Sequence, residues 1–242
     1  MKGTTCPIDI LATRKAACLA VADEVDARIR SGAVLGLPTG SVALPLYQEW
    51  IRRHRIEGLS FRGTTTFSTD EYEGCGRGEE NSRNRPMHYE LFSKVRFGRN
   101  LMLSGHFRSA EEEAASYERQ IKGMGGIDWQ LLTVAPDGSL GFNEPGSSGD
   151  SRSRRVALSS DMRRVLSSEL AEGEEVPAHA MTMGIATLLE AKRIVVIGWG
   201  SESAAAIRQA LQGPVSEACP ASFLQLHGNV RIVLAEVDAI WS

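Results

Sequence analysis

Short apolar runs alternate with longer amphipathic stretches along this chain. From Thr13 to Ile29 apolar residues recur at intervals of four, the spacing of one helical face, and Ser31 and Gly32 then interrupt the pattern. The apolar run Ala33–Leu37 follows and predicts a buried strand, and the residues from Leu44 to His54 predict the next helix. The chain therefore begins as helix, strand, loop and helix.

The same alternation continues to the end of the chain. Further strands are predicted at Thr64–Ser68, Leu131–Ala135, Ile194–Gly198 and Ile232–Ala235. Further helices are predicted at Ser82–Lys94, Ala110–Lys122, Thr182–Lys192 and Ser203–Gln212. Strands that alternate with helices are typical of an α/β fold, in which a mostly parallel sheet carries helices on both faces. No linker and no internal repeat interrupts the pattern, so we expect a single domain over residues 1–242.

Composition and charge exclude several classes of protein. The 242 residues carry 27 Lys and Arg against 30 Asp and Glu, a net charge of −3, and 42% of them are hydrophobic. A disordered chain would have fewer apolar residues, and a nucleic-acid binder would carry a strong positive charge. No run reaches the roughly 18 apolar residues that span a bilayer, and charged residues interrupt the N-terminus before a signal core forms. We therefore expect no nucleic-acid partner, no membrane segment and no export.

The cysteines indicate a reducing compartment. They lie far apart, without a CxxC pair and without histidines at zinc-finger spacing: Cys6, Cys18, Cys75 and Cys219. Neither a disulfide framework nor a metal site is indicated. We expect a cytoplasmic protein.

Three loops at the carboxyl ends of predicted strands hold the candidate chemistry, because ligands of open α/β sheets bind there. The first loop, Pro38–Ser41, joins a strand to a helix N-terminus, where free N–H groups and the helix dipole favour an anion. It lacks both the GxxxxGK[ST] and the GxGxxG spacing. The loop therefore fits a phosphate or similar group, and it fits a simple turn equally well.

The second loop sets two acids side by side after an apolar strand. Asp70 and Glu71 lie at the strand end, and a partly desolvated carboxylate there can act as a general base. Helix capping or a solvated pair is the alternative, because exposed acids far outnumber catalytic ones.

The third loop brings several polar groups into one turn rich in glycine and proline. Asp137, Asn143 and Glu144 lie within it, and paired carboxylates in different environments can divide acid and base roles. A purely structural turn is the alternative. The spacing of an EF-hand is absent.

Longer motifs around these loops resemble a known family. They are LGLPTGS, FSTDEYEG, DGSLGFNEPGSS, VPAHAMTMGIATLLEAKRIVVIGWGS and PASFLQLH, and they extend from about Ala33 to Ala235. In order and spacing they resemble the glucosamine-6-phosphate deaminases, with the 6-phosphogluconolactonases as more distant relatives. The stretch FNEPGSS favours the deaminase branch.

The resemblance implies a Rossmann-like sheet and an aldose–ketose isomerisation coupled to loss of ammonia from a 2-amino sugar. It implies neither a metal nor a redox cofactor. The acid that matches Asp70 is the base that moves a proton between C2 and C1. The acids that match Asp137 and Glu144 support an intervening histidine that opens the sugar ring, and this chain has Ser139 there.

This chain departs from the family at Ser139 and in the phosphate pocket. A serine hydroxyl has no protonation change near neutral pH, so it cannot replace imidazole as a proton shuttle. The family's phosphate-binding threonine, arginine and lysine match Val42, Ser168 and Ser203. A dianion would lose charge-assisted hydrogen bonds worth roughly 1.5–3 kcal/mol each. Arginines that could compensate are Arg163, Arg164 and Arg208.

The loops and the resemblance together give the candidate site. The expected catalytic residues are Asp70, Asp137, Glu144 and Ser139. The expected substrate-binding residues are Pro38, Thr39, Gly40, Ser41, Glu71, Gly138, Asn143, Ser168 and Ser203. The bound molecule is expected to be a sugar or amino sugar.

The leading hypothesis is a divergent amino-sugar deaminase and isomerase whose substrate lacks a conventional 6-phosphate. A catalytically silent sugar-binding or regulatory paralogue is the alternative, and a deaminase of a phosphorylated amino sugar with a compensated phosphate site is a further one. Hydrolysis of a lactone ranks last, because it would need an activated water. The resemblance is compatible with a homo-oligomer, although the short stretch after Val237 argues against a hexamer.

Overall fold

A parallel sheet forms the centre of the computed structural model, which describes residues 6–76, 79–168, 170 and 174–237. Within these ranges the strands are β1 Ile8–Leu11, β2 Val34–Leu37, β3 Thr65–Ser68, β4 Asp70–Tyr72, β5 Arg99–Leu101, β6 Trp129–Leu132, β7 Arg154–Ala157, β8 His179–Thr182, β9 Ile194–Trp199 and β10 Val230–Ala235. The α-helices are α1 Arg14–Arg30, α2 Leu44–Glu57, α3 Asn84–Met87, α4 Ala110–Gly123, α5 Ser160–Ser167, α6 Ile185–Leu189 and α7 Gly200–Gln212. Two 3-10 helices, Ser41–Ala43 and Pro220–Leu226, and a π-helix, His88–Phe92, complete the list.

The central sheet has seven parallel strands in the order β1-β10-β9-β6-β2-β3-β5. On one side of the sheet the strand order runs from β2 through β3 to β5, and on the other side it runs from β6 through β9 to β10. The crevice between the carboxyl ends of β2 and β6 is therefore a topological switch point, where ligands of open α/β sheets bind.

Helices cover both faces of this sheet. On β9, Val195 and Ile197 pack into the core that contains α1 and α2, whereas Ile194 and Val196 pack into the core that contains α4 and α7. Successive strand residues point to opposite faces, so a continuous apolar run buries both faces. The expected α/β fold, a single domain with a mostly parallel sheet and helices on both faces, is confirmed.

The span expected for the domain, residues 1–242, stays a prediction, since residues 1–5 and 238–242 lie outside the described residues. No helix in the described part of the chain is long and apolar enough to cross a bilayer.

A small antiparallel sheet, β4-β8-β7, lies beyond the carboxyl end of β3. The chain leaves the parallel sheet at Ser68, and Asp70 already pairs with Thr182 of the small sheet. The backbone N–H of Met183 donates to the carbonyl of Thr69, which joins the two sheets at this point. Asp70 therefore lies where the sheets meet.

Several predicted elements are wrong. The helix predicted at Thr182–Lys192 begins as the end of β8, and only α6 of that stretch is helical, because Met181 and Met183 pack into the sheet core. The helix predicted at Ser82–Lys94 divides into α3 and the π-helix that follows it. The sequence pattern also missed β1, β4, β5, β7, β8 and α5, which have three to eight residues each.

Glu24 joins the first helix to the amino-terminal edge of the sheet. Its carboxylate accepts hydrogen bonds from Arg193 at 2.9 Å, from Arg231 at 2.8 Å and from the indole N–H of Trp129 at 3.2 Å. Burial by itself would raise the pKa of Glu24, but the hydrogen bonds from Arg193 and Arg231 outweigh it and lower the pKa to about 2. The charged form of Glu24 therefore stabilises the fold.

The stability of the protein should depend on Glu24 in a defined pH range. The pKa of Glu24 is depressed in the fold from 4.5 to about 2, so its contribution is present above about pH 4.5 and is lost as the pH falls toward 2. Melting temperatures of the wild type and Glu24→Gln, measured from pH 7 to pH 2, should differ most at pH 7 and converge at the acid end. A constant difference across the range would contradict this account.

Candidate active site

A cleft of about 300 Å³ opens at the switch point of the sheet. It is lined by residues of the β2, β3 and β6 loops, of α5 and of the start of α7: Pro38, Thr39, Gly40, Ser41, Val42, Thr69, Asp70, Arg83, Leu132, Thr133, Val134, Ala135, Pro136, Ser139, Gly141, Phe142, Met162, Val165, Leu166, Glu202 and Ser203. Seven of the predicted site residues belong to this set: Asp70, Ser139, Pro38, Thr39, Gly40, Ser41 and Ser203.

Asp70 is the buried carboxylate of the cleft, with a side chain that is 5% exposed. One of its oxygens accepts a hydrogen bond from the Thr39 hydroxyl and the other accepts one from the Thr69 hydroxyl, each at 2.5 Å. The guanidinium Nε of Arg83 lies 3.4 Å from the oxygen that Thr39 contacts. Asp70 is thus oriented from both sides and still lines the cleft, which is the arrangement of a positioned general base.

Arg83 is a cleft residue that the sequence reasoning missed. Its side chain is 13% exposed, and its Nε also donates to Thr39 at 3.2 Å. Its guanidinium carbon lies 5.6 Å from the ring centroids of both Tyr72 and Phe142, which stack on each other. Arg83 follows Asp70 by 13 positions and lies at the start of the helix predicted at Ser82–Lys94, where a single arginine carries no signal that would place it in the cleft.

Glu71 faces away from Asp70, as the alternation of a strand requires. It is 1% exposed, and the 82–84 turn surrounds it. Its Oε1 accepts from the backbone N–H groups of Tyr72 and Arg83, both at 2.8 Å, and its Oε2 accepts from the Ser82 hydroxyl and from two groups of Asn84. Burial raises the pKa of Glu71, although these hydrogen bonds oppose it. Glu71 was predicted to bind substrate, but it does not line the cleft and instead builds the turn that carries Arg83.

Ser139 lines the cleft with a buried hydroxyl. Its side chain oxygen has no hydrogen-bond partner within the described residues. Its backbone N–H donates to the Asp137 carboxylate at 3.0 Å, which holds the loop in place. The hydroxyl therefore has a donor and two acceptor sites to offer to a ligand.

The other predicted site residues of the third loop do not line the cleft, and they stabilise loops instead. Glu144 accepts the backbone N–H of Ser159 at 3.0 Å, at the start of α5. Asn143 is buried and donates to the carbonyls of Leu140 and Met183. Gly138, with φ of +85°, packs against Cys219, where a Cβ would lie 2.6 Å from the sulfur. The structure therefore does not bring Asp137, Glu144, Asn143 or Gly138 into the lining of the cleft.

The far end of the cleft, around Ser41 and Ser203, has hydroxyls and one acid, and Nη2 of Arg83 lies 3.6 Å from the position that a Cβ on the adjacent Gly40 would occupy. Val42 and Glu202 complete this part of the lining, and the indole N–H of Trp199 donates to the carbonyl of Val42 at 2.8 Å, which joins the two loops. Ser168, which was predicted to bind substrate, lies outside the lining, and its exposed hydroxyl donates to the Val165 carbonyl at 2.8 Å.

The arginines that were expected to compensate do not line the cleft either. These are Arg163, Arg164 and Arg208. Arg164 is 78% exposed and pairs with Asp161 on the same helix. Residue 169 and residues 171–173 lie outside the described residues. Among the cleft-lining residues that the structure describes, Arg83 is the one cation, and Asp70 and Glu202 are the acids.

Comparison with known proteins gives consistent matches over most of the chain. A family model described as glucosamine-6-phosphate isomerases/6-phosphogluconolactonase matches residues 10–233. The glucosamine-6-phosphate deaminase of Bacillus velezensis is 39% identical over 209 residues, which cover 86% of this chain and 87% of that protein. The glucosamine-6-phosphate deaminase of Rhodococcus jostii is 40% identical over 222 residues, which cover 90% and 86%.

Solved structures give the same result. The structure of a monomeric glucosamine-6-phosphate deaminase superposes with a TM-score of 0.89 at 33% identity, covering 95% of this chain and 97% of that one. A 6-phosphogluconolactonase from Shewanella baltica has a TM-score of 0.75 at 15% identity over 96% and 99%, and it shares the fold.

Replacement of Glu71 should loosen the turn that carries Arg83. An amide in Glu71→Gln presents N–H groups to backbone and side-chain donors, and a buried donor without an acceptor costs about 1–3 kcal/mol. Urea unfolding at pH 7 should show a loss of that size in the free energy of unfolding. Glu80→Gln, at a side chain that is 74% exposed and pairs with Arg85, is the control and should change stability by less than about 0.5 kcal/mol. Equal stability of the two variants would contradict the role given to Glu71.

Proposed function

The chain belongs to the glucosamine-6-phosphate isomerase/6-phosphogluconolactonase family, and from this premise we propose that it deaminates and isomerises a 2-amino sugar. The relatives that share 37–40% of its residues are glucosamine-6-phosphate deaminases, so the deaminase branch is favoured over the lactonase branch. The observation that carries the proposal is the position of Asp70, which is buried, oriented by two hydroxyls and open to the cleft.

In the proposed reaction the carboxylate of Asp70 removes the proton from C2 of the open-chain amino aldose. The electron pair of the C2–H bond forms a C1=C2 double bond, and the C1 carbonyl oxygen takes up the negative charge. Asp70 then returns the proton to C1, so that C2 becomes an iminium carbon. Water adds to C2, one of its protons neutralises the alkoxide at O1, and ammonia leaves, which gives the ketose.

Ser139 takes the place at which the family resemblance puts the ring-opening histidine. Its hydroxyl has no partner among the described residues, and it can donate to the ring oxygen of the sugar or exchange a hydrogen bond in either direction with the C1 hydroxyl. Because a serine hydroxyl does not change its protonation state near neutral pH, ring opening relies on the fraction of substrate that opens in solution or on bound water. Asp137 contributes by holding the Ser139 backbone, and Glu144 by holding the start of α5.

We propose further that the substrate lacks a conventional 6-phosphate. Each charge-assisted hydrogen bond to a phosphate oxygen contributes about 1.5–3 kcal/mol. Among the described lining residues one cation, Arg83, stands against two acids, Asp70 and Glu202, and the far end of the cleft, around Ser41 and Ser203, has hydroxyls and Glu202. A carboxylate near a phosphate dianion repels it, whereas hydroxyls and a carboxylate suit a neutral, hydroxyl-bearing sugar end.

Ammonia release from a panel of free 2-amino hexoses and their 6-phosphates tests the proposal. We expect at least one free amino sugar to be turned over, with a kcat/KM for its 6-phosphate that is at least tenfold lower. Asp70→Asn should lower kcat by about 10²–10⁴-fold, since the amide keeps the shape but cannot accept the proton. Asp150→Asn, at an exposed position outside the cleft lining, is the matched control and should keep the wild-type rate.

Other outcomes would overturn parts of the proposal. Deamination of glucosamine 6-phosphate at an ordinary enzymatic rate would contradict the proposed absence of a phosphate on the substrate. Sugar binding without ammonia release from any member of the panel would favour the silent paralogue, for which Ser139 in place of an imidazole is the supporting observation.

A further inference from the structure

The position of Arg83 relative to Asp70 is unusual for a residue that only anchors a distant group. Its Nε lies 3.4 Å from the carboxylate that takes the proton and 3.2 Å from Thr39, which orients that carboxylate. The guanidinium therefore lies at the reacting end of the cleft. Its Nη2 lies 3.6 Å from the position that a Cβ on Gly40 would occupy, so the guanidinium extends from the base along the loop after β2.

The 82–84 turn, which carries Arg83, fixes the position of its side chain. The backbone N–H of Arg83 donates to Glu71 at 2.8 Å, and the neighbouring residues Ser82 and Asn84 donate to the same carboxylate. The stacked rings of Tyr72 and Phe142 lie within cation–π distance of the guanidinium. A charged donor held in this way, with little exposure to water, is preorganised for a charge that develops next to it.

We propose that Arg83 is a catalytic residue that stabilises the oxyanion formed at O1 when Asp70 removes the C2 proton. This inference rests on the proposed deaminase and isomerase function. On substrate binding, a guanidinium N–H donates to the C1 carbonyl oxygen. As the C2–H electron pair moves into the C1=C2 bond, the negative charge on that oxygen grows and the hydrogen bond strengthens.

This role explains why the one described cation of the cleft lies beside the base. A cation at the far end would stabilise substrate and transition state equally, which lowers KM without raising kcat. A cation at O1 contacts an atom whose charge increases during the reaction. Arg83 supplies at this end of the cleft a positive charge that the neutral Ser139 hydroxyl cannot.

Kinetics of Arg83 variants test the inference on whichever amino sugar the wild type turns over. Removal of a donor aimed at a developing oxyanion costs about 10²–10³-fold in kcat, so Arg83→Gln should lose that much while KM changes by less than threefold. Arg83→Lys keeps the charge and should retain an intermediate rate. Arg164→Gln removes an arginine that is 78% exposed and outside the cleft lining, and it should match the wild type.

Two further measurements keep the test decisive if a variant folds poorly. In D₂O, exchange of the C2 proton should fall in parallel with ammonia release in Arg83→Gln, because the oxyanion forms in that step. In Arg83→Ala, free guanidinium ion added to the assay should restore part of the lost kcat, which only a correctly folded protein with a vacated guanidinium position would show.

The results separate this inference from the function on which it rests. A wild type that turns over no amino sugar overturns both. An active wild type with an Arg83→Gln variant that has an unchanged kcat, or only a raised KM, overturns the role of Arg83 and leaves the deaminase function intact. Loss of ammonia release with normal C2 exchange also overturns it.

Discussion

A carboxylate buried where two sheets meet needs both hydrogen-bond donors and a compensating charge, and the cleft is organised around that need. An uncompensated buried charge costs several kcal/mol. Asp70 meets the requirement with Thr39 from the loop after β2, Thr69 from its own strand end and Arg83 from a later turn. Three separate segments are thereby held at one point, and that point is the topological switch of the sheet. The same partners that make burial tolerable also orient the carboxylate toward the cleft.

The two adjacent acids of this region have different tasks because strand geometry sends them in opposite directions. Asp70 faces the cleft, and Glu71 faces the 82–84 turn, from which it accepts four hydrogen bonds, with a fifth from the backbone N–H of Tyr72. Glu71 thus sets the position of Arg83, and Arg83 in turn lies against Asp70. A buried structural carboxylate and a buried reactive one are coupled through a single arginine, so the charge balance of the cleft depends on a group that does not line it.

The rest of the cleft is polar without being positively charged. Its far end is built by loops after β2 and β9, which are tied together by the indole of Trp199. Ser41, Ser203 and Glu202 give this end hydroxyls and a carboxylate. The family fold thus carries a cleft with one described cation and two acids, and the charge distribution rather than the fold decides which sugar the cleft can hold.

The sequence by itself determined the fold class and the loops in which the chemistry lies. Apolar runs such as those of β2 and β9 are buried on both faces and are strong signals, and motifs such as the one around Asp70 fix the family. The short elements were missed because β4, β7 and β8 pair only with one another, and three or four residues carry too little periodicity to be recognised. The tertiary structure alone decided which polar residues meet. In it Glu71 points away from the cleft, Asp137 and Glu144 lie outside the cleft lining, and Arg83 lies against Asp70. These outcomes depend on pairing between segments that are distant in sequence, because that pairing sets the side-chain directions and the contacts across the sheet junction.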